Sequence, residues 1–281
     1  MSFLLHHRLV EAEGATETAY VLHGALGSGQ NFTRFIQRLA RERPEYRYVL
    51  VDLRHHGQSA GAPPPDTLAA CAGDLSALAV SLGQAPRVVI GHSFGGKVAL
   101  EYARQAPPGL EQVWVLDAVP GTQDGLGGSE INRVIEAVRS VPMPAASRRD
   151  VVTFLAERAG LSSGIAEWMS TNLKREGQGY TWVFDLDAIE ALMADYFRVD
   201  LWPFLAEARQ RPASTSRQRS ALEIRLVVAE RSDRWTPALR ERARRLPPET
   251  RVVYHELPRS GHWVHVDNPD DLLALLREHL L

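Results

Sequence analysis

Short apolar runs alternate with longer amphipathic stretches from the N-terminus to Val119. Leu4–Val10 reads as a modest strand at a sheet edge, and Ala19–Leu22, Tyr48–Val51, Arg87–Ile90 and Gln112–Leu116 as buried strands. Between them lie helical patterns: one carries Phe32, Phe35, Ile36 and Leu39 on one face, and another runs near Leu68–Leu82. Strands alternating with helices predict an α/β chain with a mostly parallel sheet and right-handed crossovers.

The alternation stops after Val119. No convincing buried strand occurs from Gly121 to Ser220, where helical patterns around Ile131–Val138 and Val151–Ala159 follow the Gly-rich Gly125–Gly128. Large apolar groups gather here: Trp168, Tyr180, Trp182, Phe184, Tyr196, Phe197, Trp202 and Phe204. The polar stretch Pro212–Ser220 reads as a linker back to the sheet. Ile224–Ala229 resumes the strand pattern, Thr236-Pro237 opens a helix, and Arg251–Leu257 is the last strand. Asn268 caps a closing helix, with Pro269 first, acids in the opening turn and Arg277 and His279 in the last. The expected organisation is one α/β core (1–119 and 221–281) carrying a helical cap (120–220).

Composition narrows the partners. A formal charge of −2 gives no reason to expect nucleic acid or an anionic membrane, and the Arg240–Arg245 run reads as a solvated helix face. The single cysteine, Cys71, excludes an intrachain disulfide and a cysteine-rich metal site. No apolar run reaches the ~18 residues that span a membrane, and the sequence turns polar at His6-His7-Arg8, too early for a signal-peptide core. A cytoplasmic protein, monomeric or a small homo-oligomer, is expected.

The chemistry centres on Gly91-His92-Ser93-Phe94-Gly95, where a buried strand turns directly into a helix. A serine at such a turn sits in strained backbone, and glycines two positions either side let strand and helix meet closely. Ser93 is therefore the candidate nucleophile. Gly91–Lys97 also approximates a phosphate-binding loop, but that motif next needs Ser or Thr for Mg²⁺, and Val98 follows. A dinucleotide fingerprint fails because Ser93 occupies its second glycine position.

His262, in Gly261-His262-Trp263 after the last strand, is the candidate base. His262 and His265 are three apart, but no third ligand accompanies them, so no metal is expected. A carboxylate must orient the base. Asp233 is preferred because it gives the order Ser…Asp…His; Asp117, ending the strand beside the elbow strand, is the alternative or supporting acid. The oxyanion hole should use the backbone N–H groups of Phe94 and Ala25, with Leu26 as second choice for the latter. His23 is expected to brace that loop. Leu26, Trp182 and Trp263 are the side chains expected against the acyl group.

These landmarks resemble those of the α/β-hydrolase superfamily: His23-Gly24, Asp52-x-Arg54-x-x-Gly57-x-Ser59, the Gly91–Gly96 elbow and Gly261-His262-Trp263, in that order. More narrowly, Gly27-Ser28-x-x-Asn31-Phe32, the elbow running on to Lys97, and Thr171-Asn172-Leu173…Trp182-Val183-Phe184-x-Leu186-Asp187 resemble its small bacterial and mitochondrial serine esterase and thioesterase branch. The resemblance implies an eight-stranded, mostly parallel sheet with helices on both faces and no cofactor. It implies hydrolysis of small-molecule carboxylic esters, or of acyl thioesters; the inserted cap, which should leave an enclosed pocket rather than an open cleft, predicts short to medium acyl chains. In some members of the branch the aspartate ending the sixth strand takes part instead of an acid after the seventh; here both positions are aspartate. A cofactor-free acyltransferase, a C–C hydrolase and, from another class, a non-catalytic ligand-binding relative are the alternatives. Serine at the elbow argues against dehalogenase and epoxide-hydrolase chemistry, which the family runs from aspartate.

Overall fold

A computed structural model of the chain describes residues 3–123, 130–207 and 222–281. The chain opens with β1 (His7–Val10) and β2 (Glu17–Leu22), then a short 3-10 turn and α1 (Thr33–Glu42), then β3 (Tyr46–Val51). It continues through α2 (Leu68–Leu82), β4 (Val88–His92), α3 (Phe94–Arg104) and β5 (Gln112–Leu116). The helix α2 has the bounds its pattern predicts, because Thr67 accepts the Ala70 N–H at one end and Gly83 closes the other in a left-handed conformation.

After Val119 come α4 (Glu130–Ser140), α5 (Arg148–Thr153) with a wider π-type continuation over Phe154–Arg158, and α6 (Ser163–Ser170). A hairpin, β6 (Leu173–Glu176) and β7 (Gly179–Trp182), precedes α7 (Leu186–Arg198) and α8 (Trp202–Glu207). The hairpin is a small separate sheet with Lys174, Arg175 and Glu176 exposed, which is why no buried-strand pattern announces it. Gly125–Gly128 and Pro212–Ser220 lie outside the described residues. The chain ends with β8 (Glu223–Ala229), α9 (Pro237–Arg244), β9 (Val252–Leu257), α10 (Val264–Asp267) and α11 (Pro269–His279).

Seven strands form the main sheet in the order β1-β3-β2-β4-β5-β8-β9, with β1 antiparallel to β3 and every other pair parallel. The edge strand β1 pairs on one side only, so the sheet has seven strands rather than the eight the resemblance implies. Period-two alternation splits the core in two. Tyr20, Leu22, Val89, Val113 and Val115 pack with α2, α3 and the segment after β5. Ala19, Val21, Ile90, Trp114 and Leu116 pack with α1 and α11.

Three buried contacts tie the segment after β5 to the loop after β2 and to the helices α2 and α3. Asn172 Nδ2 donates to the Leu26 carbonyl at 2.9 Å, and Asp195 Oδ2 accepts the Leu68 N–H at the start of α2 at 2.8 Å. The third is Lys97, fully buried on α3, whose Nζ donates to the carbonyls of Gly121 (2.7 Å) and Tyr196 (2.5 Å). Tyr196 O is one of the last carbonyls of α7, where a cation complements the helix dipole. Among the described residues no helix is long and apolar enough to cross a membrane.

Candidate active site

The turn between β4 and α3 is as tight as its glycines allow. A Cβ on Gly91 would lie 2.2 Å from the Gly95 carbonyl oxygen, and one on Gly95 would lie 2.5 Å from the His23 carbonyl oxygen. Ser93 between them has φ 52° and ψ −116°, a conformation that costs a non-glycine residue about 1–3 kcal/mol. Its amide donates to Leu116 O, while its carbonyl accepts the Gly96 and Lys97 N–H groups. Among the described residues the amides of Ala25, Leu26 and Phe94 donate to no other group. The loop that carries the first two is braced by His23, whose Nδ1 donates to Gly24 O at 2.7 Å while Nε2 accepts the Leu53 N–H at 3.0 Å.

His262 follows β9. Its Nδ1 lies 2.8 Å from Oδ2 of Asp117, the residue that follows β5. The carboxylate can only accept there, so the proton sits on Nδ1 and Nε2 carries the free lone pair. Two further donors converge on Asp117: Ser232 Oγ at 2.9 Å to Oδ2, and the Ala229 N–H at 3.1 Å to Oδ1. Three donors and no acceptor are the surroundings of an ionised carboxylate, although full burial pushes its pKa up. Burial, together with the nearby Arg234 charge, holds His262 well below the usual histidine value, so the ring is neutral. Among the hydrogen bonds of the described residues, none joins Ser93 Oγ to His262.

The expectation that Asp233 orients His262 is corrected. Its carboxylate is 78% exposed and accepts from Arg234 at 3.1 Å. The strand order explains the difference: β8 lies between β5 and β9, and its end supplies Ala229 and Ser232 as donors to Asp117. His92, inside the elbow motif, holds His262 from the other side: its Nε2 donates to the His262 carbonyl at 2.8 Å. Burial drives the His92 pKa down to about 3, so it stays neutral. Neither Ser232 nor His92 carries a motif that marks its role.

Ser93 and His262 share one cavity of about 360 Å³ with Gly24, Ala25 and Asp233. Trp263 also lines it and meets Trp168 edge-on with centroids 4.8 Å apart. Of the aromatics after Val119, Trp168, Tyr196 and Phe197 line this cavity. Two expected contacts are corrected. Leu26 is wholly buried in the core, its backbone at φ 59° turning the side chain inward, and Trp182 stacks on Phe184 at 5.3 Å in the hairpin; neither lines the cavity. Its charged lining was not foreseen: Glu130 and Arg133 of α4, and Arg234. Among the described residues no group of three or more His, Cys, Asp or Glu is placed to hold a metal ion.

A seven-stranded α/β sheet with a serine at a strained strand-to-helix turn defines the class, and comparison agrees. The chain belongs to the alpha/beta hydrolase family, whose model matches residues 19–275. It is similar to the mouse sn-1-specific diacylglycerol lipase ABHD11, at 30% identity over 98% of this chain and 85% of that protein. It is also similar to the N-formylmaleamate deformylase of Pseudomonas putida, at 28% identity over 83% of this chain and 78% of that one. Among solved structures, a marine microorganism esterase superposes with a TM-score of 0.79 at 24% identity, over 99% of this chain and all of that one.

Proposed function

We propose that this protein is a serine hydrolase cleaving carboxylic esters, acyl thioesters included, of short to medium acyl chains, through an acyl-enzyme on Ser93. The observation that carries this reading is the bond of His262 Nδ1 to the buried Asp117 carboxylate, on the cavity that also holds the strained Ser93. Ser93 Oγ turns onto His262 Nε2, loses its proton there and attacks the acyl carbonyl. The carbonyl oxygen becomes an oxyanion, received by the unused N–H groups of Phe94 and Ala25. The imidazolium then protonates the leaving alkoxide or thiolate, and a water activated by the same nitrogen releases the acid. The segment described after β5, residues 130–207, acts as a cap over the site, contributing Trp168, Tyr196 and Phe197 to the acyl pocket. The relatives named as a lipase and an esterase support ester chemistry.

The test is covalent labelling with a fluorophosphonate, alongside hydrolysis of 4-nitrophenyl esters of graded length. Wild type should label once and hydrolyse, with the rate falling for long chains. Ser93→Ala should fold, fail to label and lose several powers of ten in kcat. Equal labelling of both proteins would sink the assignment.

A further inference from the structure

The charged residues of the cavity wall are neighbours. Arg234 donates through one terminal nitrogen to Asp233 at 3.1 Å and through the other to Glu130 at 3.3 Å. A guanidinium has five N–H donors. Nε–H and the second hydrogen on each terminal nitrogen have no acceptor among the described residues. The two acids do not cancel the charge inside the cavity. Their side chains are 78% and 41% exposed, so water screens them, whereas Arg234 is 21% exposed. Its positive charge is felt by His262, Asp117, His92 and Tyr196 alike. Arg133, one turn along α4 from Glu130, lines the same cavity and makes no hydrogen bond or ion pair among the described residues.

At about 360 Å³ the cavity lies near the lower end of the range for small-molecule sites, roughly 300–1,000 Å³, so one ligand can touch both the serine and the arginine. A wholly apolar ester filling it would strip water from three guanidinium donors and return nothing. A carboxylate would accept two of them in parallel, the geometry arginine favours.

Resting on the serine-hydrolase reading, we propose that the substrate is an anionic ester. It carries a carboxylate a few bonds from the scissile carbonyl, bound bidentately by Arg234, with Arg133 adding attraction at the rim. Arg234 is thus a specificity-determining residue, and the apolar wall from α6 and α7 takes the uncharged remainder.

Two matched pairs of esters test it. The 4-nitrophenyl monoester of glutaric acid against 4-nitrophenyl valerate places the charge on the acyl side. 4-Carboxyphenyl valerate against its methyl ester places it on the leaving side. In wild type one anionic member should exceed its neutral partner in kcat/KM. That ratio should fall roughly ten- to a hundredfold in Arg234→Gln, as expected for losing a hydrogen-bonded charge. Arg234→Lys should restore the ratio only in part, because an ammonium cannot bind bidentately. Arg133→Gln should lower the ratio at low salt more than at high salt.

A second measurement needs no turnover. Tryptophan fluorescence of Ser93→Ala, with Trp168 and Trp263 as reporters, is titrated with monomethyl glutarate against methyl valerate and with 4-hydroxybenzoate against its methyl ester. The anion of the preferred pair should bind more tightly, and adding Arg234→Gln should abolish the difference. Ser93-dependent hydrolysis with equal ratios in wild type and Arg234→Gln, and no binding preference, overturns the anion assignment and leaves the hydrolase reading standing. Arg234-dependent anion binding without labelling of Ser93 overturns the hydrolase reading and retains the anion site.

Discussion

Replacing Asp117 by asparagine exchanges one carboxylate oxygen for an NH2 group at a point where three donors converge. If the new NH2 faces His262, Nδ1 must become the acceptor, the ring proton moves to Nε2, and the base is lost. If it faces Ala229, two buried N–H donors oppose each other, at a cost of about 1–3 kcal/mol. Either way the imidazolium formed during the reaction loses its counter-charge. The serine-protease template, which is another protein, puts the loss at about 10⁴ in kcat for the equivalent change. A loss of that order is expected here, with roughly 1–3 kcal/mol of stability. Asp233→Asn removes one solvent-exposed partner of Arg234, worth about 0–1 kcal/mol, and should change kcat for a neutral ester less than about tenfold. The assay is burst and steady-state kinetics on 4-nitrophenyl butyrate for both singles and the double, with urea unfolding as the control for folding. The logarithms of the two effects should add, since the two side chains do not touch the same groups. A near-normal Asp117→Asn beside a collapsed Asp233→Asn would refute the reasoning.

Three further outcomes follow from the same geometry. The acid limb of kcat/KM should have its midpoint below the histidine reference of about 6.5, since burial and the Arg234 charge both disfavour protonated His262; a limb at or above that value contradicts it. His56 and His92 are buried with pKa values pushed to about 3, below their unfolded value. Their contribution is thus full above about pH 6.5 and lost as the pH falls toward the folded values. By about pH 4 each should cost roughly 3 kcal/mol, read as a falling urea midpoint. Gly91→Ala should prevent folding or cost several kcal/mol, because its methyl meets the Gly95 carbonyl. Gly73→Ala, an open position inside α2, should raise stability by about 0.5–1 kcal/mol in thermal melting.

What the amino-acid order determines here is whatever depends on neighbours in the chain. The inner strands β2 to β5 and β8 match apolar runs, because buried parallel strands need apolar side chains on both faces. α2 and α11 begin where Thr67 and Asn268 cap them, a bond formed within three residues. The elbow is legible for the same reason: Gly91, Ser93 and Gly95 meet each other within one turn, and a side chain at either glycine would collide with backbone.

The identity of the acid lay beyond that reach. Asp117 and Asp233 both follow strands, and chain order favours Asp233, whereas the fold sets Asp117 against His262. Only the packing of β8 between β5 and β9 aims Ser232, Ala229 and His262 at a single carboxylate. The direction of a loop or hairpin side chain is equally a tertiary matter. Leu26 turns inward at a left-handed backbone angle, and Trp182 finds Phe184 rather than the cavity. The charged wall depends still more on the fold, since Arg133 and Arg234 stand a hundred residues apart in the chain and line one cavity. Periodicity reports which side of an element is buried. It carries no information about which two buried or cavity-facing groups from distant elements meet, because that is set by strand order and by how the segment after β5 packs back across the sheet.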